Sequence, residues 1–232
     1  IINYVYGGPG AQKVKNEWGP YLLQLFAHEG FGVLELDNRG SSNRGIEFES
    51  KIYQKMGQQE VVDQILGLTI LEEHQWAAKD RVGIYGHSYG GYMTNWAIGS
   101  TNMFTAAISD RCVSNMVSMG GNSDFVDIPD KYFPGAFWDC PDEMWHSSPI
   151  RTMGNVETPT LIIHSEGDLR CNVEQADQVF AALQVRKIPC TFVRYPRETS
   201  HGMSRNGPPD MRLHRLHQIL DWWKNYLHGR RR

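Results

Sequence analysis

Three side chains in this sequence have the types and the order that acyl transfer needs. A serine hydroxyl attacks a carbonyl only when a base takes its proton, and that base needs a carboxylate to hold its tautomer and orientation. Ser88 stands in Gly86-His87-Ser88-Tyr89-Gly90, the spacing of a sharp strand-to-helix turn that presents a nucleophile. Glycines flank such a serine because the neighbouring backbones pass too close for a Cβ. Around this turn the partners follow in the order serine, acid, histidine. Ser165-Glu166-Gly167-Asp168 offers two carboxylates, and Asp168 is preferred because Gly167 permits the tight turn that would place it. His201 comes next, ahead of Gly202, and it alone of the nine histidines lies between the last strand-like run and the final helix.

The remaining histidines read differently. His164 precedes the acid and is expected to be a packed residue at a strand end. His214 and His217, three apart on a helix, are expected to be a surface pair, so no metal and no cofactor is assigned. The centre also needs donors for a developing oxyanion, each commonly worth about 3 kcal/mol. Tyr89 can supply its backbone N–H. A second donor is expected from Tyr6-Gly7-Gly8-Pro9-Gly10, through either the Tyr6 phenol or the Gly7 amide.

Such residues must be held at the ends of a rigid scaffold, and the hydrophobic pattern supplies one. Strand-like runs span Ile1 to Tyr6, Val33 to Leu36, Arg81 to Tyr85, Phe104 to Ile108, Thr160 to His164 and Cys190 to Tyr195. Helical patterns alternate with them: Tyr21, Leu22, Leu25 and Phe26; Val61, Ile65, Leu66 and Leu68; Ala176, Val179, Phe180 and Leu183. The last helix shows a stripe of Leu213, Leu216, Leu220, Trp223 and Leu227, expected to pack on the sheet. This alternation predicts an α/β fold with a mostly parallel sheet and helices on its faces. From about 110 to 150 there is no good strand but many Met and aromatic residues. That stretch is expected to be an insertion, either a cap over the substrate pocket or a cover for one sheet edge.

Composition narrows the class. The 232 residues suit one domain, 1–232, with a sizeable core. A formal charge of −3 gives no field to attract nucleic acid or anionic lipid, and Arg230-Arg231-Arg232 reads as a solvated tail. Cys112, Cys140, Cys171 and Cys190 form no C-x-x-C pair. Reduced thiols are the default, which favours a cytoplasmic address without fixing it. No apolar run approaches the roughly 18 residues of a membrane span, and no leader-like N-terminus is present, so a soluble domain is expected. Ile1 opens inside a strand-like run, as if an upstream segment were missing.

Taken together, Tyr6-Gly7-Gly8-Pro9, Gly86-His87-Ser88-Tyr89-Gly90-Gly91-Tyr92-Met93, Asp168 and His201-Gly202 make the chain resemble the prolyl oligopeptidase family of serine peptidases over nearly its whole length. Val5-Tyr6-Gly7-Gly8-Pro9 and Leu36-Asp37-Asn38-Arg39-Gly40-Ser41 look like its dipeptidyl-peptidase IV branch. Arg111-Cys112-Val113-Ser114-Asn115, Gly167-Asp168-Leu169-Arg170-Cys171 and Ser200-His201-Gly202-Met203-Ser204-Arg205 look like its acylaminoacyl-peptidase branch.

The resemblance implies an α/β-hydrolase fold and a triad of Ser88, Asp168 and His201, with Tyr6 as the phenol at the oxyanion. It places Tyr89, Val113, Met116 and Met119 near the pocket for the residue before the scissile bond. Met116 and Met119 stand where the dipeptidyl branch tends to carry aromatics, which suits a permissive apolar pocket more than one tuned to proline. Arg170 is implied either at a substrate carbonyl or carboxylate, or in an exposed salt bridge. Short peptides are the implied partners, and a homo-oligomer is compatible with the family. Family members carry a β-propeller and further strands ahead of this domain, so the chain is expected to be a catalytic-domain fragment or one piece of a longer polypeptide. The expected reaction is release of an N-terminal acylated residue or dipeptide through an acyl-enzyme. A carboxylesterase, or a catalytically silent binding module on the same fold, are the alternative readings.

Overall fold

The computed structural model describes residues 1–127 and 131–228, so the arginine tail at 230–232 lies outside the described residues. Six strands form one sheet: β1 Ile2–Val5, β2 Val33–Leu34, β3 Gly83–His87, β4 Ala106–Asp110, β5 Thr160–Ser165 and β6 Cys190–Tyr195. Their order is β2-β1-β3-β4-β5-β6 and every pairing is parallel. The helices are α1 Tyr21–His28, α2 Ile46–Glu49, α3 Gln58–Gly67, α4 Tyr89–Ser100, α5 Met116–Asn122, α6 Pro141–His146, α7 Glu174–Val185, α8 Met203–Asn206 and α9 Pro209–Leu227. This is the α/β-hydrolase arrangement. Among the described residues no helix is long and apolar enough to cross a membrane.

Two apolar cores form because neighbouring residues of a strand face opposite ways. Val5, Ile84, Ala107 and Ile162 join one core with α3, α4 and α7. Ile2, Tyr4, Tyr85, Ala106, Ile108, Leu161 and Ile163 join the other with α1 and α9. Central strands buried on both faces explain why these runs read as continuously apolar rather than alternating.

Three strands have boundaries two residues away from the sequence expectation. β2 ends at Leu34, and the Leu36 carbonyl instead accepts from the Gln64 side chain at 3.0 Å. β3 starts at Gly83, because the Arg81 N–H is taken by a turn to Ala78, and it runs on to His87. β4 begins and ends two residues later than the periodicity suggests, which sets Asp110 beside His87 in register.

The stripe expected on the last helix is also corrected. Leu220, Trp223 and Leu227 are buried as expected, with Ile219 and Trp222, but Leu213 is 54% exposed. Arg215 occupies the inward face one turn before Ile219 and reaches the Asp110 carboxylate and the Tyr85 hydroxyl. A buried charge pair thus turns the helix so that Leu213 looks outward. Between Asp110 and Ile150 no strand occurs among the described residues. Met116, Met119, Phe133 and Met144 of this stretch enter the first core, while Trp138 and Trp145 stay exposed.

Candidate active site

Ser88 joins β3 to α4 with φ 59° and ψ −121°, a conformation that a side-chain-bearing residue avoids unless its surroundings impose it. Its N–H donates to the Asp110 carbonyl at 3.0 Å, and its carbonyl accepts from Tyr92 N at 3.0 Å. The flanking glycines have a steric cause. A Cβ on Gly86 would stand 2.1 Å from the Gly90 carbonyl oxygen, and one on Gly90 would stand 2.2 Å from that of Val5. The turn therefore packs backbone directly on backbone.

Asp168 follows β5 and is 1% exposed. Gly167 permits its turn, since a Cβ there would meet the Arg197 carbonyl oxygen at 2.2 Å. Oδ1 of Asp168 accepts from the N–H groups of Arg170 and Cys171, both at 2.9 Å. Oδ2 lies 2.6 Å from Nδ1 of His201, whose Nε2 is 3.0 Å from Ser88 Oγ. Three residues far apart in sequence thus form one hydrogen-bonded line. Glu166, the other carboxylate on this turn, points outward and pairs with Arg194 at 3.3 Å.

His164 is packed at its strand end, as expected, but it also approaches Asp168. Its Nε2 donates to the Cys171 carbonyl at 2.7 Å and lies 3.6 Å from Asp168 Oδ2, while burial lowers its pKa and keeps the ring neutral. His214 accepts from or donates to the Tyr195 hydroxyl at 2.9 Å, which gives it a packing role on α9.

The Tyr89 N–H opens α4, where no intrahelical carbonyl is available to it. Tyr6 leaves β1 next to the turn, with its ring 5.5 Å from that of His87. Burial raises the Tyr6 pKa, so at neutral pH the phenol stays protonated. Asn38 steadies this loop by donating to the Gly7 carbonyl at 3.2 Å, and Gln64 in turn donates to Asn38 at 3.0 Å.

A cavity of about 500 Å³ opens beside Ser88. Met56, Tyr89, Val113, Met116, Met119 and Tyr132 give it an apolar wall. The segment carrying Val113 to Met119 is pinned by Gln175 of α7, whose Oε1 accepts from Ser114 N and Asn115 N, both at 2.8 Å. Arg170 lines the cavity too, bonded to Asp124 at 2.5 Å with its guanidinium 5.0 Å from the centre of the Phe125 ring. Cys171 also faces it. Burial first, and Asp168 next, push that thiol well above its ordinary pKa, which disfavours the thiolate.

Several residues at the site were not singled out by sequence reasoning. Arg111 adopts φ 40° and donates to Ser204 at 2.9 Å, tying the end of β4 to the loop of His201. His87 meets the Tyr4 hydroxyl at 3.0 Å. Glu60 sits buried under Tyr89. Only Glu60 left a readable sign: an acid one residue from Val61 and four from Gln64, on the inward face of α3.

A hydroxyl bonded to an imidazole that is itself held by a buried carboxylate, with an N–H and a phenol close by, has the parts for acyl transfer. Known proteins share this framework. The family model described as prolyl oligopeptidase family matches residues 19–230. The uncharacterized peptidase YuxL of Bacillus subtilis is 34% identical over 98% of this chain and 34% of its own length. Dipeptidyl peptidase 8 of mouse is 39% identical over 49% of this chain and 13% of its own. The acylaminoacyl peptidase of Pyrococcus horikoshii superimposes with a TM-score of 0.92 and 26% identity, over 100% of this chain and 37% of that one. The chain thus spans about a third of the length of YuxL and of the Pyrococcus protein.

Proposed function

This chain belongs to the prolyl oligopeptidase family of serine peptidases, and from that premise we propose that it cleaves short peptides through an acyl-enzyme on Ser88, releasing an N-terminal acylated residue or dipeptide. The observation that carries the reading is the position of His201, 3.0 Å from Ser88 Oγ and 2.6 Å from Asp168, in the lining of the cavity.

In this reading His201 Nε2 takes the Ser88 proton as Oγ attacks the carbonyl. The oxyanion is met by the Tyr89 N–H and the Tyr6 phenol. His201 then protonates the departing amine, and a water activated by the same imidazole releases the acyl group. Asp168 holds the imidazole throughout. The residue before the scissile bond enters the wall of Val113, Met116, Met119 and Tyr89, where flexible methionines accept varied apolar side chains.

An ester would meet the same machinery. Comparing kcat/KM for a peptide anilide and a short acyl ester tests the choice, and a strong preference for the ester would overturn the peptidase reading. Fluorophosphonate labelling of folded protein should modify Ser88. A folded protein that takes no label there would instead be a silent binding module.

A further inference from the structure

The cavity beside Ser88 is lined by five cationic side chains, Lys13, Arg111, Lys131, Arg170 and Arg205, and among the described residues by no aspartate or glutamate, in a chain of net charge −3. The five fall into two groups. Lys131 and Arg170 both lie over the Phe125 ring, and each has a carboxylate of its own, Asp127 at 3.5 Å and Asp124 at 2.5 Å. Lys13, Arg111 and Arg205 gather instead around Tyr6 and the loop of His201.

We propose that Lys13 and Arg205, backed by Arg111, form a carboxylate-binding subsite on the leaving-group side of Ser88, which takes the free C-terminal α-carboxylate of a short peptide. This rests on the peptidase reading above, and adds to it which end of the substrate the chain recognises.

The side follows from the chemistry. His201 must hand its proton to the departing amine, so the leaving group lies against His201, away from the wall of Val113, Met116 and Met119. Arg205 stands one turn beyond His201 on α8, and the Lys13 ammonium lies 4.4 Å from the centre of the Tyr6 ring. An extended chain advances about 3.5 Å per residue. A leaving group of one or two residues therefore carries its carboxylate just past the Tyr6 and His201 side chains.

Among the described residues the charges there are incompletely paired. Asp37 uses both carboxylate oxygens on backbone, accepting from Lys13 N at 2.8 Å and Val14 N at 3.1 Å, which fixes the loop without neutralising its ammonium. Among the described residues neither Lys13 nor Arg205 has an ion-pair partner within 4.0 Å. Arg111 has Asp110 at 3.6 Å, but that carboxylate is held more closely by Arg215. Burial lowers the Lys13 pKa, Glu35 opposes this, and Arg205, Lys15 and Arg111 lower it further. A bound carboxylate would relieve that repulsion.

The test compares kcat/KM for acetyl-Ala-Ala with its C-terminal amide, which share acyl group and leaving residue and differ in one charge. The free acid should be favoured on the order of tenfold at low salt, with the ratio shrinking as ionic strength rises. In the Lys13→Met/Arg205→Met double variant the ratio should fall to near one. Equal rates for acid and amide in the unsubstituted protein, or a ratio that survives both substitutions, would overturn the subsite. A second measurement needs no peptide turnover: Ala-Ala should protect Ser88 from a fluorophosphonate better than Ala-Ala amide, and equal protection also overturns the proposal. Preferential protection without cleavage of either peptide would support the subsite and count against the peptidase reading alone.

Discussion

The Tyr89 phenol donates to Oε1 of Glu60 at 2.6 Å, and this glutamate has no exposed surface. Gly57 N donates to the same oxygen at 3.0 Å, while Oε2 has no hydrogen-bond partner among the described residues. Burial pushes the Glu60 pKa up to about 7, against the bonds from Gly57 and Tyr89 that favour the charged form. A carboxyl with a pKa of about 7 thus lies beneath the residue whose N–H opens α4 beside Ser88.

Stability should carry the mark of this group. The Glu60 pKa rises on folding from an ordinary value near 4.5 to about 7, so the folded state keeps a proton that the unfolded chain has released. The resulting stability is full below the unfolded pKa and is lost as pH rises through the folded one. Thermal unfolding followed from pH 5 to 8 should show Tm declining, and Glu60→Gln should remove that part of the decline. An identical pH profile in the variant would refute the assignment.

Tyr6→Phe should lower kcat on the order of a hundredfold with little change in KM, because a bond made to the developing oxyanion is absent from the ground state. Steady-state kinetics on a peptide anilide reads this directly. Wild-type kcat in the variant would remove the phenol from the mechanism.

The two carboxylates of the Glu166-Gly167-Asp168 turn should behave unlike each other. Asp168→Asn should reduce kcat by roughly four orders of magnitude, since an amide disturbs the tautomer that His201 needs. Glu166→Gln removes only an exposed partner of Arg194 and should stay within about twofold. Equal damage from both would reopen the choice of acid.

On α9, Trp223→Ala should cost about 3–5 kcal/mol, because the indole is fully buried between helix and sheet. Leu213→Ala should stay within about 0.5 kcal/mol. Urea unfolding of both variants checks the corrected inward face of the helix, and similar losses would contradict it.

Much of this was legible in the chain itself. Gly86 and Gly90 around Ser88 announce a turn that tolerates no Cβ, and Asp168 and His201 stand after successive strand-like runs in the required order. The α/β alternation follows from local hydrophobic period, and every expected strand is present. Two departures from local period come from side chains distant in sequence, since Gln64 bonds the carbonyl of Leu36 and Arg215 turns the last helix toward Asp110, while β3 starts late because a local turn takes the Arg81 N–H.

The sequence by itself therefore determined the order of elements, the types of the reacting groups and their assignment to loops at strand ends, because these depend on period and steric need over a few residues. Only the tertiary structure decided which groups meet. It brought His201 between Ser88 and Asp168, sent Glu166 outward, buried Glu60 beneath Tyr89, and left Lys13 and Arg205 beside the cavity with no ion-pair partner within 4.0 Å among the described residues. Those outcomes turn on distances of a few ångströms between residues far apart in the chain. Such distances are set by how strands pair and helices pack, and local pattern does not encode them.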